Sequence, residues 1–151
     1  MTISSRFAVA VHILALLESG GGEPVRSERI AGSVNTNPAV VRRLLVQLAR
    51  AGLTTSRRGA GGGALLARPA AEITLREVYC AVEGGELFAM HHGAPNKCCP
   101  VGRHIQSALE VATDAARSAL EASLEGMTVA DVVESVMAEV ERERLGGGMG
   151  H

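Results

Sequence analysis

Two adjacent cysteines, Cys98 and Cys99, are the side chains of this sequence best placed to carry chemistry, because Pro100 follows them directly. Proline suits the first position of a helix and pushes the preceding residue out of helical geometry, so the spacing predicts that Cys99 is a helix N-cap. Free backbone N–H groups and the positive end of the helix dipole favour a thiolate there, and Lys97 and Arg103 add positive charge. We therefore expect redox sensing at Cys99, with Cys98 beside it.

The same pair could instead hold a metal ion or an iron-sulfur cluster. Adjacent side chains point in different directions, so a closed site would need histidines or ligands from a second subunit. The candidate metal ligands are Cys98, Cys99, His12 and His104, with His91 and His92 as additional histidines. Ordinary roles explain these histidines equally well: a solvated loop for His91 and His92, a polar helix position for His104, and a hydrogen bond within a mainly buried helix for His12. A purely structural role for the cysteine pair, as cap and loop residue, is a third interpretation.

Arginine is concentrated in the first half of the chain. Residues 1–69 contain nine Arg, no Lys and three Glu, whereas residues 70–151 contain six Lys or Arg and thirteen Asp or Glu. Guanidinium groups form forked contacts with phosphate and guanine. The chain has no Trp, one Tyr and two Phe, so it lacks the aromatic rings on which proteins stack single-stranded bases. The composition therefore favours double-stranded DNA as the partner.

A helix-turn-helix pattern positions several of these arginines. "VRSERIAGSV" predicts a short helix with Ser27 as its cap, and "NT" predicts a turn. "NPAVVRRLLVQLARAGL" predicts the next helix, with Asn37 as N-cap, Pro38 at its first position and Gly52 at its C-terminal cap. Its inward stripe is Val41, Leu44, Leu45 and Leu48. The basic start of this helix is expected to enter the major groove.

A glycine-rich hairpin is predicted directly after that helix. "LTTSRRGAGGGALLARP" indicates strands near residues 53–56 and 64–66, joined by a loop with Arg57, Arg58 and four glycines. Two arginines at such a tip are typical of a wing that contacts the DNA backbone or minor groove, although a flexible surface hairpin is the alternative. The loop lacks the Gly-Lys-Ser/Thr ending of a nucleotide-binding loop.

Four further helices complete the expected fold, which is mainly α with a small β-hairpin wing. They are a central first helix capped by Ser4 or Ser5, a fourth helix after Thr74 that contains Cys80 as a small core residue, a long helix from Pro100 to about Leu124, and a last helix with a Thr128/Asp131 capping box. We predict a winged helix-turn-helix DNA-binding domain over residues 1–84. Residues 85–145 would form a loop, a long dimerisation helix and a C-terminal helix, and residues 146–151 a disordered tail. The long helix exceeds what a small domain can cover, so a second copy should bury it.

Other classes of protein are disfavoured. No run of 18 apolar residues and no signal-peptide pattern is present, so we expect a cytoplasmic protein without a membrane partner. Three cysteines do not form a disulfide framework. No nucleophile elbow, zinc-protease helix or paired-carboxylate arrangement supports an enzyme.

Several separated strings resemble one family. "SRFAVAVHILALL", "SVNTNPAVVRRLL", "SRRGAGGG", "ITLREVYCAVEG" and "PNKCCPVGRHIQ" are similar to the Rrf2 family of bacterial winged-helix transcription regulators, the family of IscR, NsrR and CymR, and most of all to its YwnA-like branch. The resemblance spans about residues 2–140. It implies a dimer in which the long helix crosses to the partner and the N-terminal domain binds a palindromic operator. Residues 35–43 would be the turn and recognition helix, and residues 57–63 the wing.

The resemblance completes the list of expected sites. The candidate DNA-binding residues are Asn35, Thr36, Asn37, Pro38, Ala39, Val40, Arg42, Arg43, Ser56, Arg57, Arg58, Gly59, Gly61 and Gly62. Many relatives hold an iron-sulfur cluster with three cysteines before the long helix, but this chain has only two between residues 84 and 111, so no cofactor is required. We expect a sequence-specific DNA-binding regulator, a repressor, whose DNA affinity changes when Cys99 is oxidised. The alternative is an iron-sulfur or metal-binding sensor of the same fold that uses Cys98 and Cys99 with histidines, some of which a second subunit could supply across the dimer interface.

Overall fold

Six helices and one two-stranded hairpin make up the computed structural model, which describes residues 4–84 and 86–147. The elements in chain order are α1 (Arg6–Ser19), α2 (Ser27–Val34), α3 (Pro38–Arg50), β1 (Thr54–Arg57), β2 (Gly63–Leu66), a single 3-10 turn (Ala70–Glu72), α4 (Leu75–Val82), α5 (Pro100–Glu125) and α6 (Val129–Gly146). The predicted fold class, mainly α with a hairpin wing, is confirmed. The 3-10 turn had not been predicted.

Helix α1 lies at the centre of the core, as the two apolar stripes of its sequence predict. It packs against α2, α3, α4, α6 and β2. Ala10, Ile13, Leu14 and Leu17 are buried, and the first three of them are completely inaccessible to solvent. Ser5 occupies the N-cap position of α1 but makes no side-chain capping bond. The Ser4 hydroxyl, the other predicted cap, accepts the Arg6 N–H at 3.2 Å, and the carboxylate of Glu83 accepts the Phe7 N–H at 3.2 Å.

The connection between α2 and α3 has the expected tight geometry. Asn35 ends α2 in the left-handed region, with φ 62°, a conformation that Asn tolerates better than most residues. Asn37 caps α3 by accepting the Ala39 N–H at 2.8 Å. The prediction for Ser27 was wrong by one residue: Ser27 is the first residue of α2 and Arg26 holds the N-cap position, without a side-chain capping bond.

The hairpin is antiparallel and is anchored to the segment that precedes α2. Thr54 pairs with Leu66, and Arg57 pairs with Gly63. Ala64 also forms a bridge with Val25, through N–H to carbonyl bonds of 2.8 and 3.0 Å. The wing is therefore held on one edge by the helix-turn-helix unit, so its tip is presented at a defined place.

The C-terminal helix returns to the N-terminal core. Thr128 and Asp131 form the predicted capping box of α6, and the Val129 N–H donates to the Ile73 carbonyl at 2.9 Å. Val129 is fully buried, and α1 and α6 pack together. This helix was predicted to belong to residues 85–145, yet its first turn lies in the core of the domain predicted over residues 1–84. Helix α6 reaches Gly146, and residues 148–151 of the predicted tail lie outside the described residues.

Helix α5 contrasts with the others because the rest of the chain covers so little of it. It has 26 residues and is therefore about 39 Å long, yet Leu124 is its only buried residue. Val101 and Val111 are 68% and 73% exposed. The helix is tied to the core near its C-terminal end, where Arg76 of α4 contacts two carboxylates of α5 at 3.5 and 3.6 Å.

Candidate nucleic-acid interface

Most arginines of the basic half are free to meet a ligand. Arg6 and Arg68 form salt bridges with Glu83 and Glu77 of α4. The other seven are exposed and form no salt bridge within the part of the chain that the structure describes; they are Arg26, Arg29, Arg42, Arg43, Arg50, Arg57 and Arg58. Unpaired guanidinium groups keep their full attraction for phosphate.

A groove of about 660 Å³ separates α3 from the wing. Arg42 of α3 lines one wall, and Ser56, Arg57 and Arg58 line the other. Val46, which is 50% exposed, lies on the α3 side of the same groove. Two basic walls with small polar and apolar side chains between them are suited to phosphate and base-edge contacts. Among the predicted contacts, the structure thus brings Arg42 of α3 together with Ser56, Arg57 and Arg58 of the wing.

The other candidate residues of the helix-turn-helix unit lie in the turn between α2 and α3 and at the start of α3. Asn37, Ala39 and Arg43 are exposed; Pro38 and Val40 are half-buried. Asn35 is exposed and Thr36 half-buried in the turn, where the Thr36 N–H donates to the Ala31 carbonyl at 3.0 Å. Their assignment to DNA contacts stays a prediction. The exposed positions lie where a recognition helix would meet base edges.

The wing tip depends on glycine. Gly59 and Gly61 have φ 90° and 77°, a region open mainly to glycine. Gly62, unlike its neighbours, is buried, and a Cβ there would lie 2.2 Å from the Arg57 carbonyl oxygen. Gly62 therefore acts by closing the loop rather than by exposing itself to a ligand. A direct contact of Gly62 with DNA stays a prediction that rests on its place in the loop.

The groove is also lined by three residues that were not predicted as contacts, Ser27, Thr54 and Thr55. Arg26 and Arg29 are exposed at the start of α2 and were also missed. A signal was available, since the first helix of a helix-turn-helix crosses the DNA backbone. With Ser27 predicted as the cap, Arg26 fell outside the predicted helix and was not considered as a contact.

One carboxylate near the basic half has an altered pKa. Partial burial of Glu77 raises its pKa, but hydrogen bonds from Thr74 and Arg68 together with the positive charge of Arg68 outweigh this and lower it below the ordinary value. Arg68 donates to Glu77 at 2.8 Å. Arg68 is therefore engaged within the fold and differs from the free arginines of the wing.

The cysteine pair lies at the start of α5, as predicted. Cys99 holds the N-cap position with extended backbone angles, φ −85° and ψ 126°, and its thiol makes no capping hydrogen bond. Asn96 orders the segment: its side-chain oxygen accepts the Cys98 N–H at 2.9 Å and its carbonyl accepts the Cys99 N–H at 3.3 Å. Arg103 donates to the Lys97 carbonyl at 2.9 Å. Both thiols are exposed, so solutes can reach them.

The prediction for Cys80 was wrong. Cys80 is exposed on α4 rather than part of the core, because Leu75, Val78 and Val82 supply the buried face of that helix. A spacing of two residues from Val78 turns the thiol away from that face.

The described residues do not fit a metal centre within one chain. No group of three His, Cys, Asp or Glu side chains lies close enough to hold a metal ion in residues 4–84 and 86–147. A ring nitrogen of His12 is hydrogen-bonded to the Ser33 hydroxyl at 3.0 Å, as one interpretation of the sequence predicted, although the His12 side chain is exposed. His91, His92 and His104 are exposed as well. A cluster has no complete ligand set among these side chains.

None of the described helices is long and apolar enough to cross a membrane.

A short helix, a tight turn, a helix with arginines near its exposed start and a basic hairpin beside it define a winged helix-turn-helix DNA-binding protein. The sequence profile of the Rrf2 family, described as an iron-dependent transcriptional regulator, matches residues 3–135. The chain belongs to the Rrf2 family of transcriptional regulators.

Individual relatives agree with this assignment. YwnA of Bacillus subtilis, named as an HTH-type transcriptional regulator, is 47% identical over 132 residues, which cover 87% of this chain and 96% of YwnA. A crystal structure described as a DNA binding protein is 43% identical, with a TM-score of 0.69 over 85% of this chain and 98% of its own. CymR of B. subtilis, the global cysteine regulator, shares the fold at 24% identity, with a TM-score of 0.63 over 89% of this chain and 98% of CymR. The expectation of a regulator rather than an enzyme is confirmed by this family membership.

Proposed function

We propose that the chain is a sequence-specific repressor that binds a palindromic operator as a homodimer. The observation that carries this proposal is the groove between α3 and the wing, which exposed arginines line on both sides. Arg42 would read base edges, and Arg57 and Arg58 would hold the backbone or minor groove.

Helix α5 supports the dimer. A helix of 26 residues with one buried side chain gains only a small part of its stability from packing against its own chain. Its exposed Val101, Leu109 and Val111 would be buried by a second copy across a two-fold axis. Two DNA-binding units would then be held at a fixed spacing.

Selection of DNA from a random pool tests both parts. We expect the full chain to enrich an inverted repeat whose half-site centres lie about 10 base pairs apart, or a multiple of that. Analytical ultracentrifugation should show a dimer on that DNA. A single half-site bound by a monomer would contradict the dimer, and a pool that stays random would contradict sequence-specific binding.

We also infer that oxidation of Cys99 changes DNA affinity. The thiol is exposed in an ordered segment at the start of the long helix, and the other end of that helix contacts α4 through Arg76. A hydroperoxide would oxidise the thiolate to a sulfenate and be reduced to an alcohol or water. A second thiol could then condense with the protonated sulfenic acid, forming a disulfide and releasing water. Either product would bias the angle between α5 and the DNA-binding unit.

Replacing Cys99 with Ser separates this switch from DNA binding. The reduced parent and Cys99→Ser should bind the operator equally, as measured by fluorescence anisotropy. Peroxide should weaken the parent by roughly 5- to 150-fold, the usual range of allosteric coupling, and reductant should restore it. Cys99→Ser should not respond. Cys80→Ser is the matched control, because Cys80 is also exposed, and it should respond like the parent; a response retained by Cys99→Ser would exclude Cys99.

A further inference from the structure

All the aromatic residues of the chain line one cavity. The sequence contains two Phe, one Tyr and no Trp, and Phe7, Tyr79 and Phe88 surround the same space of about 770 Å³. The cavity lies where the start of α1, the end of α4, the segment that follows residue 85 and the end of α5 meet. Residues 79 and 88 are far from residue 7 in the chain, so the clustering is a product of the tertiary fold.

The walls of this aromatic cavity combine aromatic rings with aliphatic side chains. Phe7 and Tyr79 meet edge to face, with centroids 6.0 Å apart and an interplanar angle of 73°. Leu120 and Leu124 of α5 complete the apolar side. Phe88 is 56% exposed, an unusual position for a large aromatic side chain when nothing covers it.

The charge at the cavity is negative. Glu83 is fully engaged: it accepts from the Ser4 hydroxyl at 3.0 Å and the Phe7 N–H at 3.2 Å, and it pairs with Arg6 at 3.6 Å. Glu86 also lines the cavity, is exposed, and forms no salt bridge with any described residue. The charges of Arg6 and Glu83 cancel, so the carboxylate of Glu86 gives the cavity its net negative charge.

We propose that the aromatic cavity binds a small organic cation with an apolar body, such as a substituted or quaternary amine. The faces of aromatic rings carry negative potential and attract cations, most strongly where water is excluded. The Glu86 carboxylate adds to that attraction, and the leucines would cover the apolar body of the ligand. A small anion would meet only an arginine that Glu83 has already neutralised.

Because of the position of the cavity, a bound ligand would change the affinity for DNA. Its walls come both from α1 and α4 of the DNA-binding unit and from α5. A bound cation would therefore fix the angle of α5 relative to α1 and α4. This effect on DNA rests on the proposed function, whereas binding of the cation does not.

The intrinsic fluorescence of the chain reports on this cavity, because Tyr79 is its only tyrosine and it has no tryptophan. The full chain is titrated with benzyltrimethylammonium, benzyl alcohol and phenylmethanesulfonate, which share an aromatic body and differ in charge. We expect the cation to change the Tyr79 emission and to bind at least about fivefold more tightly than the alcohol, with the anion weakest. Calorimetry gives the affinities independently.

Two conservative variants identify the groups responsible. Phe88→Leu keeps an apolar side chain and removes the ring, and Glu86→Gln removes the charge. Each should weaken the cation about fivefold while changing benzyl alcohol less. Glu134→Gln, an exposed acid on α6, is the matched control and should bind like the parent. The proposal is overturned if the cation and the alcohol bind equally, if the anion binds more tightly, or if both variants keep the affinity of the parent. It is also overturned if no ligand binds because a second copy of the chain fills the cavity.

A DNA titration with and without benzyltrimethylammonium tests the coupling. A shift in operator affinity that Phe88→Leu abolishes supports it. Cation binding without a shift overturns the coupling alone, whereas failure to bind DNA when no cation is present contradicts the proposed function instead.

Discussion

The Arg42→Ala variant should lose affinity for its operator by about 1 to 3 kcal/mol, while its affinity for unrelated DNA falls much less. Arg42 is exposed near the start of α3 and lines the groove that faces the wing. A guanidinium there can form two hydrogen bonds with one guanine, and alanine removes both. Competition anisotropy with operator and scrambled duplexes, at one salt concentration, measures the difference. Arg43→Ala, one residue further along, should behave similarly if it also reads bases.

Arg50 offers a control within the same helix. It is exposed in the last turn of α3, outside the groove, so Arg50→Ala should keep the operator preference. Arg57→Ala and Arg58→Ala should instead weaken all duplexes evenly, and each should reduce the slope of log affinity against log salt by about one. If the Arg42, Arg43, Arg57 and Arg58 variants all bind like the parent, the assignment of the interface is wrong.

Local signals predicted α3 well because every one of them pointed to the same boundaries. Asn37 caps the helix and Pro38 occupies its first position, whereas Gly52, predicted at the C-terminal cap, lies one residue beyond the cap residue Ala51 with φ 76°. Of the predicted inward stripe, Val41, Leu44 and Leu48 are buried, and Leu45 is half-buried against the core. Agreement among cap, proline and periodicity leaves few alternative registers.

The start of α2 was less predictable because Ser27 is the preferred type of cap residue, yet Arg26, which makes no side-chain capping bond, holds the N-cap position. Arg26 has an extended backbone, so it cannot be part of the helix. The pairing of the adjacent Val25 with Ala64 of the hairpin holds this segment extended. That pairing joins residues 39 positions apart and leaves no trace in the local sequence. Tertiary contacts therefore decided a boundary that propensity left open.

The surroundings of Cys80 and of the aromatic residues needed the tertiary structure for the same reason. A helical pattern identifies which face is apolar, but Cys80 is small and fits either face. Phe7, Tyr79 and Phe88 carry no shared motif, so only packing reveals that they line one cavity. Glu83 likewise caps α1 from 76 positions away. Local motifs predicted the DNA-binding unit, and long-range packing made the cavity.

Replacing Gly63 with Ala should destabilise the chain and displace the wing. Gly63 starts β2 with φ 155°, and a Cβ there would lie 2.5 Å from the Val25 carbonyl oxygen and 2.6 Å from its carbon. These are backbone atoms in the bridge between Val25 and Ala64, so they cannot rotate away. Overpacking and backbone strain together predict a loss of roughly 2 to 4 kcal/mol. Urea unfolding followed by circular dichroism measures this loss.

Gly32 provides the opposite result for the same substitution. It lies within α2, and a Cβ there would meet nothing within 4 Å, so Gly32→Ala should stabilise the chain by about 0.5 to 1 kcal/mol through helix propensity. DNA affinity is then compared at a urea concentration where both variants are folded. Gly63→Ala should bind every duplex more weakly, because its displaced wing carries Arg57 and Arg58. A Gly63→Ala variant as stable as the parent, with unchanged DNA affinity, would show that the Val25 bridge does not position the wing.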